Sequence, residues 1–231
     1  MNKLRNMLVG VIAITSMLAV SANSFEGFSI GGTFSQNDME TKGTETKNQR
    51  AGATTSMETS AVITNQKDVD VGSLFAEYTF AQGSTIGLEI IPGEASLGSK
   101  TRTHTLNGTG QNVAGVITAK AEISDHITFY VEPTYMLTDT FGVYLKGGAA
   151  RVTVNSLESQ TTTTATLGYG NKDVYGTTMG YGAKAYYGNF FAKLEYLETE
   201  YGTVTIQGTN KKVISADIES AATRLAVGYN F

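Results

Sequence analysis

Eight segments of this chain alternate apolar and polar residues with a period of two. They lie near residues 25–36, 69–80, 85–92, 119–136, 141–154, 174–187, 190–201 and 220–231. Such alternation marks strands with one buried and one contrasting face. No helical periodicity appears beyond the first 22 residues. The connections alternate strictly in length. Short ones lie at Ala81–Ser84, Thr138–Thr140 and Gly188–Asn189, and long ones near 37–68, 93–118, 155–173 and 202–219. In an up-and-down barrel consecutive connections fall on opposite ends. One end then carries the tight turns and both termini, and the other carries four long loops. Membrane barrels have this asymmetry. The expected fold class is therefore all-β, an eight-stranded antiparallel up-and-down transmembrane β-barrel.

Alternation alone does not say which face points inward. The charges do. Glu77 opposes Leu74, Ala76, Tyr78 and Phe80, and Glu89 opposes Ile86, Leu88 and Ile90. Glu132 opposes Ile127, Phe129, Val131 and Tyr135; Lys146 opposes Val143 and Leu145. Lys184 opposes Met179, Tyr181 and Ala183. Lys193 and Glu195 oppose Ala192, Leu194 and Tyr196, and Arg224 opposes Leu225, Val227 and Tyr229. These four acids and four bases sum to zero. A closed lumen requires near balance, because unpaired buried charge is costly. The eight residues are expected to form an inner layer that plugs the barrel. Gly142, Gly148, Gly180, Gly182 and Gly228 share the charged face, where they are expected to leave room for the long side chains.

Aromatics are expected to form two outer belts. Tyr78, Phe80, Tyr135, Phe141, Tyr187, Phe190, Tyr229 and Phe231 lie at the short-turn end, with Phe34, Tyr175 and Tyr201 toward the long loops. Two residues fit badly. Pro133 interrupts a strand, which calls for a bulge or a nearby strand end. Arg151 shares parity with Val143 and Leu145; a bulge at Gly147-Gly148 would flip it inward, and otherwise it sits above the membrane.

Residues 1–22 read as a secretory signal: Lys3 and Arg5, an apolar run from Met7 to Val20, and small residues at Val20-Ser21-Ala22. Ala22-Asn23-Ser24 also fits a cleavage site. The expected domains are a signal at 1–22 and a barrel at 23–231. Its removal leaves 15 basic and 21 acidic residues, a net of −6. No basic patch suggests nucleic acid. The chain has no cysteine, so disulfides and thiolate metal sites are excluded. The long spacers are rich in Thr, Gly, Asn and Gln, as in Thr161–Thr164, and lack the apolar content for a second core. The Asn107-Gly108-Thr109 acceptor pattern reads as chance.

The signal, eight strands, loop asymmetry, inner charges and final Tyr229-Asn230-Phe231 together resemble the small OmpA-like and OmpX-like (opacity-type) outer-membrane barrels of Gram-negative bacteria. The resemblance covers essentially the whole mature chain. It implies residence in the bacterial outer membrane as a monomer among lipids and lipopolysaccharide. It also implies delivery by periplasmic chaperones and recognition of Tyr229 and Phe231 by the barrel-assembly machinery. Unlike full-length OmpA, the chain ends with the barrel.

Some barrels of this kind are lipid A deacylases or acyltransferases. Glu122, Ser124 and His126 share a face by parity, but steps of about 7 Å are too long for direct hydrogen bonds. They are expected to form a polar lumen mouth. His104, expected in a loop, is the other histidine. Asp68-Val69-Asp70 does not continue into a calcium loop, and the Gly-Tyr-Gly runs at 168–170 and 180–182 precede no helix. No catalytic, metal or cofactor site is expected. The expected role is structural or surface-exposed. An adhesin or recognition protein acting through its loops, and a narrow pore, are the alternatives.

Overall fold

The computed structural model describes residues 25–51, 54–59, 62–104, 115–160, 166–207 and 213–231. The signal segment, Asn107-Gly108-Thr109 and Thr161–Thr164 lie outside them. The described chain forms β1 (Gly27–Ala51), β2 (Thr54–Thr59), β3 (Ile63–Thr79), β4 (Thr85–His104) and β5 (Gly115–Glu132). It continues with β6 (Thr134–Met136), β7 (Phe141–Gln160), β8 (Thr166–Tyr187), β9 (Phe190–Gln207) and β10 (Val213–Asn230). The ladder runs β10-β9-β8-β7-β5-β4-β3-β1, and β10 also pairs with β1, closing the sheet. β6 continues the β5 stave, and β2 folds back on β1. The result is a closed, all-antiparallel barrel of eight staves, as expected.

The staves run farther than the alternation indicated, chiefly at the long-spacer end. β1 extends to Ala51 and pairs with β10 as far as Thr46↔Val213. His104 is the last residue of β4. Threonine suits strands, and a ladder already running past the apolar band adds one more backbone pair at little cost. Much of each expected loop is therefore hairpin.

The apolar face points out. Ile30, Phe34, Leu74, Leu88, Ile90, Phe129, Leu194, Leu225 and Val227 are exposed, which in a bilayer is the lipid side. At the turn end, Phe28, Tyr78 and Phe80 make successive edge-to-face contacts, as do Phe190, Tyr229 and Phe231. Phe34 and Tyr175 are also exposed. Tyr201 corrects the upper belt: it is buried inside, against Met39, Val152 and Ile218. Its parity matches Lys193 and Glu195, so it faces the lumen.

Of the expected glycines, Gly182 and Gly228 face rings rather than charges, as do Gly31 and Gly87, while Gly142 lies against Met136 and Gly148 and Gly180 lie against the Phe129 and Tyr196 carbonyls. Gly31 pairs with Phe75, Gly87 with Tyr130, Gly182 with Tyr144 and Gly228 with Phe191. A Cβ added at these glycines would come within 2.3, 2.4, 2.6 and 2.2 Å of the facing ring, respectively. Each ring thus lies flat across the glycine of the next strand and fills the lumen without spreading the wall.

Pro133 needs no bulge. It sits opposite Leu145, accepts that residue's N–H at 3.2 Å, and forfeits only the return bond. It divides β5 from β6 three residues from the stave's end. Arg151 is not flipped either, because the β7–β8 register runs unbroken through Gly147-Gly148. Arg151 instead pairs with outward Asp173 at 3.1 Å, and Thr153 donates to the same carboxylate at 2.8 Å.

One seam is incomplete. β3 and β4 pair only from Leu74↔Ile90 down to Thr79↔Thr85. Above that level β3 stays on β1 and β4 on β5. Pro92 lacks a donor, Gly93 takes φ 94°, and β4 bulges between Ile91 and Glu94. These features turn β4 away from β3 and leave a slot in the wall.

Candidate functional site

The inner charges converge on Glu132, which is fully buried. Lys193 Nζ lies 2.8 Å from Glu132 Oε2 and 2.6 Å from Glu77 Oε2. Lys146 Nζ lies 3.2 Å from Glu132 Oε1 and 3.0 Å from Glu195 Oε1. Arg224 pairs with Glu89, and its Nε sits 3.7 Å from Glu195 Oε2 without hydrogen-bond geometry. Ser73 also donates to Glu89, at 2.5 Å. Seven of the eight expected residues thus form one connected layer, contributed by six staves, with every member at most 9% exposed.

Lys184 is the exception, and it corrects the expectation of four acid–base pairs. Its ammonium donates to the Gly83 carbonyl at 2.7 Å and to Thr85 Oγ1 at 3.1 Å, in the short β3–β4 turn. It points toward the turn end and satisfies backbone there. The linked layer therefore holds four carboxylates against three cations.

Aromatic side chains complete the layer, and strand parity alone did not reveal them. Tyr130 donates to Glu77 and Tyr144 to Glu195, each at 2.8 Å. Lys146 sits 3.9 Å above the Tyr130 ring. The rings add hydrogen bonds and cation–π attraction in a water-poor space. Below, Phe75, Tyr186 and Phe191 pack together toward the turn end, and Phe25 stacks on Tyr186 at 3.9 Å. A pairing of inward glycine with an inward aromatic on the adjacent segment was the available sequence signal.

Tyr229 and Phe231 lie on the outer belt, and the residue between them closes the seam. Asn230 is buried and accepts from Ser29 Oγ at 3.0 Å. It donates to the Phe25 carbonyl at 3.1 Å, while its own carbonyl accepts from Asn189 at 2.9 Å.

The Glu122, Ser124 and His126 group does not assemble. β5 carries an extra residue between Ser124 and Ile127, where Asp125 takes φ 52°. The bulge reverses parity. Ser124 pairs with outward Thr153 and accepts from Asn155 at 3.1 Å, and Ile123 turns inward against the buried apolar cluster. His126 stays inside, edge-on to Tyr201 at 6.2 Å. The partners of Ser124 Oγ are Asp125 and Asn155 rather than His126. The expected polar mouth is largely apolar, since Met39, Val152, Val154, Val174 and Val204 face inward at that level. No group of three or more metal-ligating side chains occurs among the described residues.

No protein-family model matches this chain, and no curated protein matches it in sequence. Solved structures do match in shape. The outer membrane protein OprG from Pseudomonas aeruginosa superposes with a TM-score of 0.51 at 16% identity, covering 92% of this chain and 99% of that one. Neisserial surface protein A gives 0.46 at 9% identity, over 89% and 97% of the two chains. Ail, the attachment invasion locus protein of Yersinia pestis, gives 0.38 at 10% identity, over 86% and 99%. The chain shares with OprG the antiparallel β-barrel fold.

Proposed function

We propose that this chain is an integral protein of the bacterial outer membrane. It has a structural or surface-exposed envelope role, a lumen closed by its charge layer, and no catalytic activity. The observation that carries this reading is the position of Glu132. It is fully buried at the barrel centre, between Lys146 and Lys193, inside a wall whose outer face is exposed and apolar. An eight-stave barrel has an interior just wide enough for side chains, and here charged and aromatic ones occupy it. An apolar exterior around an ionic interior suits lipid outside and is costly in water. The bulge that separates Ser124 from His126 supports the absence of catalysis. Lipids and lipopolysaccharide are the proposed surroundings. Chaperone delivery and recognition of Tyr229 and Phe231 by assembly machinery follow from the same reading, with a monomer as the product.

The extended β1, β3 and β10 hairpins support recognition by the outer tips as a second reading. Deleting a hairpin tip and measuring cell or phage binding tests it. For the main reading, the protein should fractionate with the outer membrane and show faster gel mobility unboiled than boiled. In planar bilayers it should give no stable single-channel current. Unchanged mobility in a soluble fraction refutes the location, and steady sizeable currents refute the closed lumen.

A further inference from the structure

The split seam leaves two strand edges facing each other. From Ser73 upward β3 pairs with β1 alone, and from Ile91 upward β4 pairs with β5 alone. In an antiparallel pair, alternate residues direct their N–H and C=O away from the partner strand. Both strands therefore present unpaired backbone to the slot, and such edges are templates for another strand. One point is blunted: Lys67 Nζ donates to the Ser96 carbonyl across the slot at 2.8 Å, in place of a ladder N–H. A single lysine side chain spans the gap there, which bounds it at about two strand spacings of ~4.8 Å. One added strand is the most it admits.

The two faces beside the slot differ. Outward, Asp68 and Asp70 of β3 and Glu94 of β4 are exposed and form no ion pair with any described residue. Asp38 of β1 pairs in register with Asp68 and adds a fourth carboxylate to that face. Inward, Val69 packs against the apolar cluster, and Val71 and Ile91 lie below it. Between Lys67 and Ser73 and between Ile91 and Ser96, Lys67 is the one cation. The residues from Thr79 up to Asp70 rise roughly 25 Å at ~3.3 Å per residue and a ~40° tilt. That matches the height of the apolar band of a membrane barrel, so the acids stand at the outer interface, open to the medium.

We infer that the split seam accepts an extended peptide segment that alternates basic and apolar residues, added from outside as one strand between β3 and β4. Its basic residues meet Asp68, Asp70 and Glu94, and its apolar residues meet Val69, Val71 and Ile91. Main-chain hydrogen bonds to the two edges supply affinity, and the contrasting faces supply selectivity. Lys67 guards the slot and swings aside when the strand enters. An acidic peptide sets like charges beside the three outward carboxylates. A second copy offering its own β3 edge repeats Asp68 and Asp70 and meets the same repulsion. Access from the outer surface rests on the membrane reading above, which the gel-mobility shift tests separately.

The test uses the protein in phosphatidylcholine nanodiscs, with empty nanodiscs as the control and amide hydrogen exchange as the readout. The probe is an octapeptide alternating lysine and valine. It should slow exchange saturably along Lys67–Ser73 and Glu94–Ser96 and not along β7–β8. The same peptide N-methylated throughout, which lacks ladder donors, should protect nothing. A glutamate–valine octapeptide should need at least tenfold more probe. Asp68→Asn with Asp70→Asn should weaken binding at least tenfold at low salt and much less at about 0.5 M salt, where surface charge is screened. Lys67→Ala should tighten binding at least threefold at both salt levels, because it frees the Ser96 carbonyl. Each variant is read only where gel mobility stays heat-modifiable. Absent protection, or equal protection by the N-methylated peptide, overturns strand addition. Equal binding of the acidic peptide overturns the basic partner, and unchanged or weaker binding by Lys67→Ala overturns the guard. Protection that grows with protein concentration without peptide assigns the edge to a second copy and overturns the proposal.

Discussion

Lys193 shows how a single residue holds the interior together. Its ammonium lies within 2.8 Å of both Glu77 and Glu132, and all three side chains are at most 3% exposed. Removing it leaves two carboxylates without their closest cation. Lys193→Met should therefore destabilise the barrel by about 3–5 kcal/mol, read as a lower urea midpoint for unfolding from vesicles. Adding Glu132→Gln should recover part of the loss. A single-variant loss below about 1 kcal/mol would show that the layer is wet and screened. Parity placed Lys193 and its neighbours inside. It placed Lys184 inside too, but not at the turn carbonyl of Gly83, because reach along the barrel axis depends on rotamer and not on face.

At the scale of elements, the pairing of glycine with ring sets how closely neighbouring staves approach. Phe191 lies over Gly228, and a Cβ there would meet its ring at 2.2 Å. Gly228→Val should cost about 1–3 kcal/mol through overpacking, and Phe191→Ala in the same chain should relieve much of it. Additive losses in that double variant would argue against the contact as the cause. The same scale explains where alternation failed as a guide. It holds only between bulges. The extra residue at Asp125 reverses β5, so Ile123 turns in and Ser124 turns out. Near Arg151 the alternatives were a bulge at Gly147-Gly148 or a place above the membrane, and the β7–β8 ladder runs straight there, without the bulge. Gly-Gly alone does not make a bulge; unequal residue counts between paired strands do.

For the whole molecule, closure of β10 on β1 matters most, because a closed barrel alone removes sheet edges. Asn230 ties this seam to the segment before β1 and to the β8–β9 turn through Ser29, Phe25 and Asn189. Asn230→Ala should cost about 1–3 kcal/mol in lost buried hydrogen bonds. Amide exchange should rise at Ser29 and Gly31 and not along β7–β8. A uniform rise would mean global destabilisation instead. The seam between β3 and β4, two staves away, is left open above Leu74 and Ile90, so one seam is tied shut and another parts.

Class, stave number, turn placement and the inward set of charges were all legible in the chain. They depend on period-two alternation and on the lengths of the spacers, which are local properties. The layer's true partners, the glycine–ring contacts, the split of Ser124 from His126 and the lateral slot were not. Each depends on register between strands far apart in sequence, and a single added residue reverses every side chain beyond it. Pro92-Gly93 was visible as a break in alternation. Only the assembled sheet shows that β3 does not follow β4 past it, while β3 keeps its ladder with β1 throughout.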